Sequence, residues 1–192
     1  MSPLMVGAIL FQRGYANAMR VESKTDLIAV FPSTAWRRGD IQGALADLNQ
    51  AIALNPKFAE AYYNRGLLKD EHLNDVRGAM ADYNQAIALT PNDADVYINR
   101  GLLKAQKLND VPGALADYDR AIALDPKYAE IYNNRGVLKV QNLNDVQGAL
   151  ADYDRAIALT PKSALAYNNR GHLKYHKLND IQGALADLSK AI

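Results

Sequence analysis

Cysteine is absent from this 192-residue sequence. A large excess of charge of one sign is also absent, because 22 Lys and Arg are nearly balanced by 21 Asp and Glu. The absence of cysteine excludes disulfide bonds, thiolate nucleophiles and cysteine-ligated zinc. A net charge of +1 argues against strong attraction to nucleic acid or to an anionic membrane, although it is compatible with a local patch. No apolar run reaches the roughly 18 residues that a transmembrane helix needs.

What the sequence does contain is a repeat. The tripeptide Asn-Arg-Gly occurs four times at intervals of 35 residues, with its glycines at Gly66, Gly101, Gly136 and Gly171. Aligned with itself at this offset, the sequence agrees at about 26 of 35 positions between residues 94–128 and 129–163, which is typical of a solenoid. Copies begin at Ala59, Ala94, Ala129 and Ala164.

Each copy has the apolar spacing of two amphipathic helices. Asn-Asp pairs precede the second helices and are predicted to cap them: Asn74-Asp75, Asn109-Asp110, Asn144-Asp145 and Asn179-Asp180. A residue before proline is disfavoured in the α region, so the second helices are predicted to end at Asn55, Thr90, Asp125 and Thr160. A helical hairpin of this kind cannot bury its apolar faces alone, and stacking of hairpins makes the core.

This pattern resembles the tetratricopeptide repeat (TPR) family, whose units carry an aromatic, Leu-Gly, Ala-x3-aromatic and Pro. The first full copy supplies Tyr62, Arg65-Gly66, Ala79, Tyr83 and Pro91. It departs from the family in its period of 35 rather than 34, in Arg before Gly, and in Lys at a typically aromatic position. The resemblance implies an all-α, right-handed α–α solenoid in which the recurring glycines lie where two helices cross closely.

The domain organisation expected from this resemblance has two parts. Residues 40–192 form the TPR array, with a lone second helix at 40–56, repeats at 59–93, 94–128 and 129–163, and a shortened repeat at 164–192. Residues 1–39 are predicted to be a degenerate N-terminal helical segment or cap. Its first helix lies either at residues 4–20, where Phe11 to Gly14 resembles the recurring motif, or at residues 25–36.

The N-terminal apolar run, Leu4 to Phe11, precedes a small-x-small sequence at Ala16 to Ala18. A secretory signal peptide usually has a basic start, but the first ten residues contain neither Lys nor Arg, and Arg13 interrupts the approach to the small residues. We therefore expect a helix packed on the array rather than a cleaved leader, and a cytoplasmic protein.

Positions that differ between copies are candidates for binding, because positions required for packing stay constant. On the first helices, positions 2, 5, 9, 12 and 13 of each copy vary and fall within an arc of about 100°. The resemblance places this arc on the concave surface, where TPR proteins bind peptides. An invariant asparagine at position 6 borders the arc, and its amide can both donate to and accept from a peptide backbone. The alternative is that each asparagine satisfies groups of neighbouring helices.

The candidate peptide-binding residues are therefore Asn64, Asn99, Asn134, Asn169, Tyr63, Leu67, Asp70, Glu71, Ile98, Leu102, Asn133, Val137, Asn168, His172, Tyr175 and His176. The arc is acidic in the first copy, apolar in the middle copies, and aromatic with imidazole in the last. A ligand with a basic end and an apolar middle would suit it. A clamp of Lys and Arg for a C-terminal carboxylate is not expected, because basic residues are missing from these positions.

Recurring Arg and Lys four residues apart, such as Arg65 and Lys69, are predicted to form a structural ion-pair network with recurring aspartates such as Asp82. The alternative, a stripe that tracks RNA phosphates, is weighed because RNA-reading helical repeats also exist. His172 and His176 have no evident third metal ligand. No catalytic motif stands out, and no metal or other cofactor is expected.

The sequence thus predicts a non-catalytic scaffold for a protein or peptide partner, without nucleic acid or membrane binding. The alternative is a module for assembly through the ends of the solenoid. The last helix leaves Ile181, Leu185, Leu188 and Ile192 on a face that normally meets another helix, so we expect a longer array or self-association there.

Overall fold

A computed structural model describes residues 40–192. The predictions for residues 1–39, including both positions of a first helix and the signal-peptide alternative, lie outside this range. Within it, nine helices follow one another without a strand: α1 Ile41–Leu54, α2 Ala59–Glu71, α3 Val76–Leu89, α4 Ala94–Lys107, α5 Val111–Leu124, α6 Ala129–Leu138, α7 Val146–Leu159, α8 Ala164–Lys177 and α9 Ile181–Lys190. A π-helical turn, Lys139–Leu143, extends α6. The predicted all-α solenoid of helical hairpins is confirmed.

The described residues divide into two compact units, the first ending at Pro91 and the second running from Asn92 to Ile192. In the first unit, α2 packs against α1 and α3, with Leu48 and Leu68 completely buried between α1 and α2. In the second unit, α4 to α9 pack consecutively, and each first helix also contacts the next first helix. One core cluster of this unit joins Ala149 and Tyr153 of α7 to Leu173 of α8. Burying such a side chain contributes about 1.5–3 kcal/mol.

The turns between first and second helices use the Asn-Asp pairs for two different purposes. The aspartate is the N-cap: Asp110 Oδ1 accepts from the backbone N–H of Gly113 at 2.9 Å, and the same contact recurs in every hairpin turn of residues 40–192. The asparagine is left-handed, with φ between 51° and 53° at Asn74, Asn109, Asn144 and Asn179. The prediction that asparagine shares the capping is therefore wrong, and its role is to end the preceding helix.

This left-handed asparagine lets the next N–H bond back across the helix end, to a carbonyl one residue further back than in a Schellman motif. The N–H of Asp110 donates to the carbonyl of Lys104, six residues earlier, at 2.9 Å. The other repeats make the corresponding bond. Asparagine tolerates the left-handed region better than other residues with a side chain, except aspartate. The 35-residue period therefore leaves room for a C-cap followed directly by an N-cap.

We expect Asn109→Val to lower the free energy of unfolding by about 1–2 kcal/mol, because a β-branched residue is strained at positive φ. Urea unfolding followed by circular dichroism measures this change. Asn109→Gly is the matched control and should be neutral or slightly stabilising, since glycine adopts this conformation freely. Equal losses in the two variants would show that the amide, rather than the backbone, matters.

The second helices end where proline predicts. Their C-caps are Asn55, Thr90, Asp125 and Thr160, each directly before a proline and each with φ near −135° to −133°. Pro112 lies in the first turn of α5, where its missing N–H leaves no bond unmade. Both predictions are confirmed.

The recurring glycines lie at close helix crossings, as expected. A β-carbon on Gly66 would lie 2.8 Å from Cε1 of Tyr83, and one on Gly136 would lie 2.7 Å from Cε1 of Tyr153. Real β-carbons essentially never approach so closely. The tyrosines are fully or almost fully buried, so they have little room to yield. Close packing therefore compensates for the poor helix propensity of glycine.

Across residues 40–192, no helix has both the length and the apolar character required to cross a membrane.

Candidate functional site

In each hairpin of residues 59–190, a buried aspartate of the second helix forms ion pairs with an arginine and a lysine of the first helix. In the third full repeat, Asp152 of α7 accepts from Nε of Arg135 at 3.0 Å and from Nη2 at 2.5 Å, and its Oδ2 lies 2.8 Å from Nζ of Lys139. The same three groups meet at Asp82, Asp117 and Asp187. The predicted ion-pair network is confirmed, and it explains why like-charged residues recur four positions apart.

The network also joins successive repeats of the second unit. Nη1 of Arg135 donates to Asp119 of the preceding second helix at 2.6 Å, and Arg170 does the same with Asp154. The pKa of each guanidinium is raised despite partial burial, mainly by the hydrogen bond to Asp152 or Asp187 of its own hairpin and less by the bond to Asp119 or Asp154. Burial alone would raise the pKa of the Asp187 carboxyl, but bonds from Arg170 and Lys174 outweigh it and lower that pKa. The basic side chains that a phosphate-binding stripe would use are thus engaged within the fold.

The tyrosine at position 4 of each copy packs beside this network. In the second unit, the Tyr132 ring lies 5.7 Å from the guanidinium carbon of Arg135 and 5.9 Å from that of Arg155. In the same way, the Tyr97 ring lies between Arg100 and Arg120, and the Tyr167 ring lies between Arg170 and Lys190. The sequence analysis missed this second cation, although Arg120, Arg155 and Lys190 recur at the 35-residue period. Each ring thus contacts one cation of its own first helix and one of the second helix of the same hairpin.

The invariant asparagines have different surroundings in different repeats. Asn99 donates through Nδ2 to the carbonyl of Asp95 in its own helix at 2.9 Å. Asn169 donates to Oδ1 of Asn133 in the preceding repeat at 2.9 Å. Asn134 is 7% exposed, and its Nδ2 is buried without a hydrogen-bond partner. Asn64 of the first unit is partly exposed. Packing within the fold thus satisfies Asn99 and Asn169, while Asn134 retains an unused donor.

The variable positions of the second unit range from buried to exposed. Ile98 and Asn133, at position 5, are 0% and 4% exposed and therefore belong to the interior, whereas Asn168 is partly exposed. Leu102 and Val137 at position 9 are partly exposed, and Val137 packs beside the Ala149–Tyr153–Leu173 core. The structure thus brings positions 9, 12 and 13 to the surface more than position 5.

The last repeat presents the most exposed part of the arc. The rings of His172 and His176 are parallel within 4°, with centroids 5.9 Å apart, and Tyr175 meets His176 edge-on at 4.8 Å. All three side chains are exposed, with Tyr175 at 54%. Among residues 40–192, no three or more His, Asp or Glu side chains are grouped so that they could hold a metal ion. The cluster therefore offers flat aromatic and imidazole surface.

In the first unit, Tyr63 and Leu67 are each 9% exposed, Asp70 is partly exposed and Glu71 is exposed. Glu71 Oε2 lies 3.9 Å from Nε2 of His72. These positions of the first unit therefore combine two carboxylates with the aromatic ring of Tyr63, whereas the sequence analysis emphasised only their acidity.

Comparisons with known proteins agree with this architecture. The sequence pattern of the TPR repeat matches residues 37–69, 73–107, 106–142 and 143–177. No curated protein sequence matches the chain. Solved structures do match it in fold. MamA from Desulfovibrio magneticus RS-1 has a TM-score of 0.74 at 20% identity, covering 88% of this chain and 94% of that one.

Two further solved structures are similar. YrrB, a TPR protein with an unusual peptide-binding site, gives a TM-score of 0.67 at 24% identity over 88% of this chain and 87% of its own. PilW, a widely conserved type IV pilus biogenesis factor, gives 0.76 at 21% identity over 89% of this chain and 79% of its own. At these identities the similarity concerns the fold.

Proposed function

Because the chain belongs to the tetratricopeptide repeat family, whose members are generally protein–protein interaction scaffolds, we propose that it is a non-catalytic scaffold that binds a peptide or protein segment. The proposed binding surface is the face of the first helices that carries the invariant asparagines and the variable arc. YrrB, which shares the fold, is itself described as having a peptide-binding site.

The observation that carries this proposal is the polar row in the second unit. Asn133 and Asn169 are hydrogen-bonded between successive first helices, and the Nδ2 group of Asn134 beside them has no partner. An unpaired buried donor is destabilising, so it favours a ligand carbonyl that could reach it after a small side-chain rotation. Val137, His172 and Tyr175 supply apolar and aromatic contact area next to the row.

The set of contact residues proposed from the structure is smaller than the set expected from the sequence. Ile98 and Asn133 support the surface from beneath, because they are buried. In the second unit, the Nδ2 group of Asn134 is proposed to contact the ligand. The other proposed contacts there are residues that retain exposed area: Leu102, Val137, Asn168, Asn169, His172, Tyr175 and His176. In the first unit, considered by itself, Asn64, Asp70 and Glu71 retain exposed area.

The test removes two side-chain amides of the polar row and measures the binding of a peptide selected from a random displayed library. We expect Asn134→Ala with Asn169→Ala to weaken binding about tenfold, because each lost hydrogen bond contributes on the order of 1 kcal/mol. Isothermal titration calorimetry measures the affinity, and circular dichroism checks folding. Gln147→Ala with Gln182→Ala, on exposed positions of second helices, is the control and should change nothing. Unchanged affinity in the asparagine variant would contradict the proposal.

An assembly role through the last helix is the second candidate. Ile181 and Leu185 of α9 are 51% and 56% exposed, whereas Val146 and Leu150 at the same positions of α7 pack beside a core cluster. Leu185→Lys separates the two roles in the same binding assay. If the first helices bind the partner, this substitution should leave the affinity for the selected peptide unchanged. If α9 binds the partner instead, the substitution should abolish binding of the peptide.

A further inference from the structure

One repeat carries an acidic and aromatic group of side chains at the variable positions. The acidic–aromatic cluster consists of Tyr63, Asp70 and Glu71 on α2 and Tyr83 on α3. The three α2 positions are occupied in the later copies by Ile98, Ala105 and Gln106, by Asn133, Val140 and Gln141, and by Asn168, Tyr175 and His176. Since the other copies fold without these carboxylates, the hairpin itself does not require them.

The two tyrosines of the cluster are in contact. Their ring centroids lie 6.3 Å apart with the planes inclined by 43°, and Tyr63 is 9% exposed whereas Tyr83 is 0% exposed. The Tyr83 hydroxyl is buried and has no hydrogen-bond partner. A buried hydroxyl without a partner is destabilising, so a ligand donor that bonds to it would be favoured.

Negative charge from the α2 carboxylates reaches this hydroxyl. Burial raises the pKa of Tyr83 well above its ordinary 10.0, and the charges of Asp70, of an ionised Tyr63, of Glu71 and of Asp82 raise that pKa further. For Tyr118 and Tyr153, at the same position of later repeats, the pKa is raised by burial and by one adjacent aspartate, Asp117 or Asp152. The acidic–aromatic cluster therefore has a negative potential that those repeats lack.

We propose that the acidic–aromatic cluster is a subsite for one cationic side chain, Lys or Arg, of a peptide that the first unit binds. This inference rests on the peptide-binding function proposed above. The Asp70 and Glu71 carboxylates attract the cation and accept charge-assisted hydrogen bonds from it. The Tyr63 ring offers a face for a cation–π contact. A donor brought in by the cation supplies the partner that the Tyr83 hydroxyl oxygen lacks.

The experiment starts with full-length protein and peptides selected from a random displayed library. The tightest peptide is synthesised as selected and with each Lys replaced by norleucine or each Arg by citrulline. Both forms are titrated into the wild-type protein and into Asp70→Ala with Glu71→Gln, which installs the residues of the following repeat. Asp119→Asn with Asp154→Asn makes the same change of net charge on second helices, where both aspartates are exposed, and is the control.

We expect selected peptides to be enriched in one cationic position, and its replacement to weaken wild-type binding about tenfold, the scale of one charge-assisted hydrogen bond. In Asp70→Ala with Glu71→Gln the two peptide forms should bind equally, whereas the control should keep the tenfold difference. The difference should shrink with added sodium chloride. Selected peptides without a cationic preference, or a preference that survives in the double variant, would overturn the subsite alone. Failure to select any peptide would overturn the peptide-binding function as well.

Discussion

Arg135→Leu is expected to lower the free energy of unfolding by about 3 kcal/mol. The substitution removes both hydrogen bonds that the guanidinium donates to Asp152, whose side chain is 5% exposed. Breaking a buried ion pair typically costs roughly 3–5 kcal/mol, because a charge is left in a poorly solvated place. The expected loss lies at the low end, since Lys139 still contacts the same carboxylate at 2.8 Å. Urea unfolding followed by circular dichroism measures it.

The same guanidinium provides its own control. Its Nη1 pairs with Asp119 at a similar distance, but the Asp119 side chain is 62% exposed. Asp119→Asn should therefore cost less than about 1 kcal/mol, as surface ion pairs do. Comparable losses in the two variants would show that burial of Asp152 does not set the strength of the network.

Gly136→Ala is expected to lower the free energy of unfolding by about 1–2 kcal/mol, although alanine is the better helix former. The new β-carbon would lie 2.7 Å from Cε1 of Tyr153, a ring that is 3% exposed. Overpacking of this kind costs about 1–3 kcal/mol, and the gain in helix propensity offsets up to about 1 kcal/mol of it.

The sign of the effect distinguishes packing from propensity. Ala151 is exposed within α7, so Ala151→Gly measures the propensity difference without a packing change and should cost about 1 kcal/mol. If propensity alone governed position 136, alanine there would stabilise by a similar amount. Stabilisation of Gly136→Ala would mean that the helices separate at little cost, against the packing explanation for all four glycines.

Much of the local structure follows from short-range chemistry in the sequence. Asp110 caps α5 because its carboxylate reaches a free N–H three residues on, and Thr90 ends α3 because it precedes Pro91. The 35-residue recurrence identified the helical hairpin and its family. The pairing of Arg135 with Asp152 was also predictable, because repetition shows which unlike charges always occur together.

Other features depended on long-range packing. Asn109 is left-handed rather than a cap because the bond from the Asp110 N–H to the Lys104 carbonyl fixes the backbone there, and residue type alone allows both roles. Helical spacing placed Ile98 on the same arc as Leu102, but the neighbouring helices bury the first and leave the second partly exposed. Periodicity gives the direction of a side chain from its own helix, not what lies in that direction.

For this protein, the sequence by itself determined the helical hairpin, its ends and its charge pairs, because each depends on residues at fixed spacing within one repeat. The tertiary structure decided which amides and variable side chains remain accessible. It also buried the Nδ2 group of Asn134 and the hydroxyl of Tyr83 without a hydrogen-bond partner. Accessibility is set by contacts between helices, and no spacing along a single helix contains that information.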